Sequence, residues 1–261
     1  MIIRSHYVVV AVAAALALAA CSKKEEAPAE KAAAPASAPA AAPVDAATAG
    51  SVAGTVKLDG PAPKVAKLKT DSDPYCAKMH ASSPLLSEEV VEGKDGMLAN
   101  VVVYVKAGLE NRSFPTPTES VTLTQSGCEY KPHVVALMVN QPISIVNADQ
   151  TTHNIHPTPA NNRDWNKSQG PGAEKITDSF AREEVAIPVK CNVHSWMKAY
   201  IAVLKNPYYQ VTSADGAFDL KNLPPGDYTI TAWQEKYGSM DQKVTIGPKE
   251  SKKIDFVFKP S

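Results

Sequence analysis

Beyond about residue 50 the sequence consists of short runs of β-branched and aromatic residues, and this pattern limits the chain to a fold built from strands. Gly, Pro, Asn and Asp separate the runs, of which 101–105, 142–146 and 228–233 are examples. β-Branched and aromatic side chains favour strands, whereas the separating residues favour turns. We therefore predict an all-β fold, with one or two ordinary domains in the 261 residues.

The charge balance bears on the class of partner. The 27 basic and 27 acidic side chains cancel. Without an excess of basic residues there is no electrostatic argument for binding to nucleic acid or to an anionic membrane surface. We therefore expect no nucleic-acid partner.

The N-terminus has the pattern of an export signal. Arg4 precedes an apolar run from Tyr7 to Ala20, which is shorter than the roughly 20 residues of a membrane-spanning helix. The run ends in small residues, as the apolar region of a signal peptide does. Residues 1–20 are therefore predicted to be a signal peptide. Its last residues, with Cys21, resemble the lipobox of bacterial lipoproteins, and the alternatives are an uncleaved short anchor or a plain signal peptide.

The lipobox resemblance implies a membrane partner and a location. Cys21 would carry the lipid and anchor the chain in the cell envelope, facing the periplasm. Ser22, which follows it, is compatible with sorting to the outer membrane rather than the inner one. Residues 21–50 are rich in Ala, Pro, Lys and Glu, so too little apolar surface is available to offset ordering, and a disordered tether is predicted.

The chain has four cysteines, at positions 21, 76, 128 and 191. If Cys21 carries a lipid, an odd number remains in a compartment that permits disulfides. The simplest partition pairs Cys76 with Cys128 and leaves Cys191 free. A free thiol in an exported protein is open to oxidation unless it is buried or bound to a metal. Cys191 is therefore a candidate metal ligand.

Metal-ligating side chains cluster around Cys191. His194 and Met197 follow it at intervals of three residues, after the apolar run 185–189. A strand that ends at Cys191 and enters a tight loop directs all three side chains to one place. Thiolate, imidazole and a weak thioether suit copper, and a second imidazole completes the set. The segment 147–156, which follows the strand-like run 142–146 and contains His153 and His156, is the candidate source of that imidazole.

Residues from Cys128 to about Leu204 resemble small blue-copper cupredoxins such as plastocyanin, pseudoazurin and amicyanin. The motifs that carry the resemblance are Tyr130-Lys131-Pro132, Asn147-Ala148-Asp149, His153-Asn154-Ile155-His156 and the run from Cys191 to Met197. The resemblance implies a Greek-key sandwich with one type 1 copper ion. His153, Cys191 and His194 would be equatorial ligands and Met197 the axial one, while Asn154 would brace the ligand loop near the sulfur.

Other residues near these motifs leave alternatives open. His156 is a ligand if the first loop is shifted, and otherwise lies near the ligands or at the surface. His80 and His133 each lie close to a cysteine and indicate either a second metal site or surface histidines. Trp196 is either a redox relay or an apolar cover over the site and a docking surface.

A second module is predicted after residue 204. Asp215-Gly216 indicates a hairpin turn between 208–212 and 217–220. The run 215–229 resembles the carboxypeptidase regulatory-like domain, a transthyretin-like β-sandwich, whose first strands would be 52–58 and 99–105. The cupredoxin would then be inserted in this sandwich or packed on it. The predicted domains are 51–117 for the first strands of this sandwich, 118–205 for the cupredoxin and 206–261 for the remaining strands.

These features favour one-electron transfer through type 1 copper, with electrons passing through an exposed edge of His194 to a redox protein partner. The alternatives are copper handling or delivery, and an envelope interaction module with a vestigial site. An enzyme is not expected, because a filled set of His153, Cys191, His194 and Met197 leaves no open position for a substrate. The architecture resembles proteins labelled methylamine-utilisation protein, although no residue here indicates an amine substrate.

Overall fold

A computed structural model describes residues 44–260, and nearly all of the regular structure in them is strand. The strands are β1 Gly50–Leu58, β2 Val102–Ala107, β3 Val121–Gln125, β4 Tyr130–Lys131, β5 Val134–Met138, β6 Ile143–Asn147, β7 His153–Pro157, β8 Lys167–Gln169, β9 Ile176–Asp178, β10 Glu184–Lys190, β11 Lys198–Leu204, β12 Tyr209–Val211, β13 Ala217–Leu223, β14 Gly226–Gln234, β15 Gly238–Ile246, β16 Ser251–Lys253 and β17 Phe256–Phe258. One α-helix, α1 (Pro74–Met79), and one 3-10 turn (Lys94–Gly96) accompany them. The predicted all-β class is confirmed.

The first sandwich is built from strands at both ends of the described chain. In one sheet β1 pairs with β13, β16 and β17, and the other sheet has the order β12-β2-β14-β15. Alternate side chains of these strands point inward, as the period of a strand requires. They form one apolar core that includes Val52, Val103, Phe218, Ile230 and Phe256.

The turn at Asp215 does not form the predicted hairpin. β12 pairs with β2, whereas β13 pairs with β1, so the turn carries the chain from one sheet to the other. Gly216 has φ +64°, and a Cβ there would lie 2.5 Å from the Val56 carbonyl oxygen. The turn chemistry was therefore correctly identified, but the hairpin prediction was wrong because a turn of this kind also serves to connect two sheets.

The second sandwich is formed by residues 121–204. Its sheets have the orders β5-β11-β10-β7-β8 and β4-β3-β6-β9. The apolar core between them includes Leu123, Ile145 and Ile201, and it extends to Cys191 and Met197. The loop after β10 therefore leaves the sheet directly above a packed core, which restricts the positions of its side chains.

The two sandwiches share a third apolar cluster. Val102, Tyr104 and Trp233 of the first sandwich lie with Val134, Ala202 and Leu204 of the second. Strands before and after residues 121–204 pair with one another, so the second sandwich lies within the sequence of the first. The exact domain limits given above remain predictions.

Residues 59–101 connect β1 to β2, and we call them the β1–β2 segment. The segment contains α1, which begins after Asp73 as N-cap and has Pro74 in its first turn. Both residues favour a helix start at this point, since the Asp73 carboxylate accepts from the Cys76 backbone N–H at 2.9 Å. A disulfide joins Cys76 to Cys128 and ties the segment to the second sandwich.

The predicted signal peptide, the lipidation site Cys21 and the tether up to residue 43 lie outside the described residues. Within residues 44–260 no helix combines the length and apolar character that a membrane crossing needs. The lipid anchor and the location therefore remain predictions.

Candidate metal centre

Three donor side chains meet at one end of the second sandwich. His153 begins β7, Cys191 follows β10, and His194 lies in the turn before β11. β7 and β10 are antiparallel neighbours, and His156 of β7 lies opposite Lys190 of β10. This register brings the start of β7, with His153, close to the end of β10, after which Cys191 follows. The ligating atoms of the three side chains all lie within 4.8 Å of one another.

The imidazole Nδ1 atoms point toward the centre of this group. Nδ1 of His153 lies 2.8 Å from Nδ1 of His194. The Cys191 Sγ lies 3.9 Å from Nδ1 of His194. All three side chains are buried, and Cys191 is the free cysteine among the described residues.

The loop that carries Cys191 and His194 is held by its own backbone. The Met197 N–H donates to the His194 carbonyl at 3.0 Å. The His194 N–H donates to the Cys191 Sγ at 3.3 Å. The Met197 side chain is buried in the same apolar cluster as Cys191. The loop therefore places the predicted axial ligand in the wall of the site.

Asn154 connects β7 to the ligand loop. Its backbone N–H donates to the Cys191 Sγ at 3.4 Å. Its side-chain oxygen accepts from the backbone N–H of Asn192, and its side-chain N–H₂ donates to Asn166. The sulfur thus receives two backbone N–H groups, one from each side of the site, and both favour the thiolate over the thiol.

A carboxylate lies behind each imidazole. Asp149 Oδ2 accepts from His153 Nε2 at 2.8 Å, and the same carboxylate accepts from the backbone N–H groups of Gly127 and Cys128. Asp73 Oδ2 lies 3.2 Å from His194 Nε2, a contact whose alignment falls short of a hydrogen bond. Because the Nε2 atoms of both imidazoles face carboxylates, the Nδ1 atoms are directed toward the centre of the site.

The electrostatics of the site favour a charged sulfur and a charged His153. Burial raises the pKa of Cys191, but hydrogen bonds from His153 and from backbone N–H groups outweigh burial and leave that pKa lowered. Burial lowers the pKa of His153, but the Asp149 carboxylate and the Cys191 sulfur raise it to about 9. Burial lowers the pKa of His194, an effect that Asp73 only partly offsets.

His194 has no exposed edge, so that expectation was wrong. Its side chain is 1% exposed. Asp73 covers Nε2, and the ring of Trp196 lies over the imidazole with 4.9 Å between the centroids. Trp196 is itself held, since its Nε1 donates to the Cys128 carbonyl at 3.0 Å. Trp196 and Asp73 together therefore cover His194. Asp73 belongs to the β1–β2 segment, which connects two strands of the first sandwich.

Cys76 and Cys128 form a disulfide in the structure. Within residues 44–260 the three remaining histidines lie outside the donor group. His156 contacts Asn192 and Asp164, and His80 contacts the Gly127 carbonyl at 2.8 Å. His133 is buried rather than at the surface, with Glu235 Oε1 at 2.6 Å from Nε2. The expectation of a surface histidine was wrong for His133, because the first sandwich packs against it. None of these three histidines belongs to a candidate metal group in residues 44–260.

The donor set fits a copper ion. One thiolate and two imidazoles, with a thioether nearby, are the ligands that a trigonal copper site uses. If a bound cation displaces the hydrogen from His153 Nδ1 and each Nε2 keeps its hydrogen toward a carboxylate, both Nδ1 lone pairs converge with the sulfur. A bound cation stabilises such an arrangement of lone pairs. Sequence reasoning missed the two carboxylates. Asp149 had a signal in its spacing of four residues from His153, whereas Asp73 had only the signal of a helix N-cap.

Comparison with protein families gives one match. Residues 179–254 match the model described as "Polysaccharide lyase family 4, domain II". The match runs from the second sandwich into the first and covers less than half of the chain. It is not the carboxypeptidase regulatory-like family that the sequence resembles. No curated protein matches the chain.

Several solved structures are similar to part of the chain. A copper-containing nitrite reductase from Thermus scotoductus is 20% identical over 34% of this chain and 23% of its own, with a TM-score of 0.31. A purple cupredoxin from Nitrosopumilus maritimus is 19% identical over 32% of this chain and 99% of its own, with a TM-score of 0.28. Amicyanin from Paracoccus versutus is 13% identical over 39% of this chain and 96% of its own, with a TM-score of 0.30. The chain thus spans less than a quarter of the nitrite reductase and nearly all of the two smaller proteins.

Proposed function

We propose that the protein binds one copper ion and has a non-enzymatic role in one-electron transfer. The observation that carries the proposal is the convergence of His153, Cys191 and His194 donor atoms in a buried space. A type 1 copper ion held by these residues, with Met197 as a weak fourth ligand, would supply one-electron redox chemistry. Because all four side chains are buried, no substrate position is proposed.

The surrounding residues support this role by restricting movement. Backbone N–H groups from Asn154 and His194 fix the sulfur, and Asp149 fixes the His153 ring. Fixed ligands change position little when the charge of the bound ion changes, which favours electron transfer. A carboxylate such as Asp149 that accepts from a ligand imidazole also makes that imidazole more basic.

A second candidate function is copper handling or delivery. The observation that favours it is the burial of His194, because electron transfer through an exposed imidazole edge is not open to this site. The two functions share the same ligands and differ in whether the ion stays bound. The experiment below separates them.

For the cellular setting we propose a periplasm-facing, lipid-anchored protein with a redox protein as partner. The support is the lipobox-like sequence that ends at Cys21, with Ser22 favouring the outer membrane. A lipid-anchored envelope protein would meet soluble redox proteins of the periplasm. Labelling with a radioactive fatty acid, lost in Cys21→Ser, tests the anchor.

Copper titration with Cys191→Ala tests the proposed site. Adding Cu(II) to the purified wild-type protein should produce an intense visible band from charge transfer between thiolate and copper. Cys191→Ala should lose the band, and its copper affinity should fall by more than the 10–100-fold that loss of an outer partner typically costs. The matched control is His156→Ala. His156 lies on β7, the strand of His153, but outside the donor group, so this variant should keep the band.

The outcomes separate the candidate functions. The band together with reversible one-electron reduction supports electron transfer. Tight Cu(I) binding without the band, with ready transfer of copper to a chelator, favours handling. A wild-type protein that binds no copper contradicts both, and a band that persists in Cys191→Ala contradicts the assignment of the thiolate.

A further inference from the structure

The β1–β2 segment brings a carboxylate to the outer edge of the donor group. Asp73 Oδ2 lies 3.2 Å from Nε2 of His194. The same oxygen accepts from the Thr151 hydroxyl at 2.9 Å, which holds it in place from the second sandwich. His194 Nε2 is buried and has no hydrogen-bond partner among the described residues. Asp73 is therefore the group in position to face that nitrogen.

The two oxygens of Asp73 have separate contacts. Oδ1 accepts from the Cys76 backbone N–H at 2.9 Å and completes the first turn of α1. Oδ2 faces His194 and Thr151. The helix N-cap needs one oxygen only, and Asp, Asn and Ser supply it about equally well. The second oxygen is thus free to act on the imidazole, and substitutions can remove it without removing the N-cap.

We infer that Asp73 is a positioning residue for the ligand His194. Its carboxylate favours the hydrogen on Nε2 and so keeps Nδ1 unprotonated and directed at Cys191 and His153. Asp73 of the β1–β2 segment, which connects two strands of the first sandwich, thereby lies next to the donor group of the second sandwich. The role of His194 as a copper ligand rests on the proposed function, whereas the tautomer of the ring does not require a metal.

The orientation of the ring explains why this carboxylate matters. A neutral imidazole carries one hydrogen, and the groups that face its two nitrogens decide which nitrogen is left as acceptor. For His194 these groups are the Asp73 carboxylate at Nε2 and Nδ1 of His153, which lies 2.8 Å from Nδ1. An amide N–H₂ in place of Oδ2 would donate to Nε2 and move the hydrogen to Nδ1. That tautomer presents a hydrogen to the donor group and cannot ligate a metal through Nδ1.

Three variants test the inference. Asp73→Asn keeps the N-cap oxygen and exchanges the acceptor facing His194 for a donor. Asp73→Ser keeps the N-cap and removes the group that faces the ring. Asp71→Asn is the matched control, since it makes the same change of charge at an exposed residue of the same segment. All are made in the full chain.

The first readout uses copper-free protein. Nitrogen NMR of the histidine rings at fixed neutral pH should show the Nε2–H form of His194 in the wild type and in Asp71→Asn. Asp73→Asn should raise the fraction of the Nδ1–H form, although Nδ1 of His153 at 2.8 Å opposes it, and Asp73→Ser should raise that fraction by less. A helix N-cap role alone predicts the same tautomer in all four proteins, and that result would overturn the inference.

The second readout is copper affinity, measured by competition with a chelator. We expect affinity to fall about 10–100-fold in Asp73→Asn, by less in Asp73→Ser, and not at all in Asp71→Asn. Equal affinity in all four proteins would overturn the positioning role. If the wild type binds no copper but the tautomer changes as expected, the positioning inference stands and the proposed function fails.

Discussion

Replacing both Cys76 and Cys128 with serine should lower the free energy of unfolding by about 4 kcal/mol. The bond closes a loop with a sequence separation of 52 residues. Cross-linking a loop of that length restricts the unfolded chain by roughly that amount in the loop-entropy account. The loss should appear in urea unfolding as a lower midpoint, measured against the oxidised wild-type protein.

The same double substitution should also release the β1–β2 segment locally. α1 has six residues, and a helix this short is not stable without tertiary contacts. Besides the disulfide, polar contacts hold α1 and its flanks, among them Asp73 with Thr151 and His80 with the Gly127 carbonyl. Backbone amide hydrogens of α1 should therefore exchange much faster in the variant, while those of β11 change little.

Reduced wild-type protein is the control for the serine substitutions. It lacks the bond but keeps both sulfur atoms, so it should resemble the double variant in midpoint and in exchange. The free thiol Cys191 is present in all forms and does not distinguish them. An unfolding midpoint that is the same with and without the bond would contradict the loop-entropy account for this protein.

The residues of the donor group could be predicted because their arrangement is set by local structure. Cys191 ends one strand run and His153 begins another, and the spacing to His194 fits one tight loop. Such positions follow from strand ends and short turns, which single-sequence patterns identify. The structure brings these three side chains within 4.8 Å of one another.

The cover over the site could not be predicted, because it depends on contacts between distant parts of the chain. Asp73 and Pro74 indicate a helix start, but nothing in that pattern shows that the helix lies against His194. The exposed edge expected for His194 was wrong for the same reason. His133 is a polar residue whose sequence position does not indicate burial, yet it is buried, and Glu235 from the turn between β14 and β15 contacts its ring.

The hairpin at Asp215 shows a similar limit within one module. Its sequence identifies a turn that needs a glycine at positive φ, and the structure has φ +64° at Gly216. Whether the two flanking strands pair or enter opposite sheets depends on the other strands of the sandwich. Local chemistry thus predicts where the chain turns, while the pairing is decided by the whole core.

Glu235→Gln should destabilise the protein by roughly 3 kcal/mol near pH 6 and by less near pH 9. Glu235, at the turn between β14 and β15, lies with its Oε1 2.6 Å from Nε2 of His133 in the second sandwich. The side chains are 8% and 6% exposed. A charged pair this well buried depends on both partners, because removing one leaves the other without compensation.

The direction with pH follows from the raised pKa of His133. Burial lowers that pKa, but the hydrogen bond and charge of Glu235, with the charge of Glu88, outweigh burial. A group whose pKa is higher in the folded state contributes stability that is fully present below its unfolded value of about 6.5. That contribution is lost as pH rises through the folded pKa. Tyr200, whose pKa burial and Glu235 raise to about 12, stays protonated over this range and does not alter the comparison.

Urea unfolding of the wild type, Glu235→Gln and Glu88→Gln at both pH values measures this effect. Glu88 is the matched control because its carboxylate lies 3.7 Å from Nδ1 of the same histidine but is 39% exposed. Water and salt screen such a contact, so Glu88→Gln should cost less than about 1 kcal/mol. A cost for Glu235→Gln that is equal at both pH values would mean that His133 is uncharged in the folded protein. A cost that falls with rising pH would mean that a charged pair holds the sandwiches together beside their apolar interface.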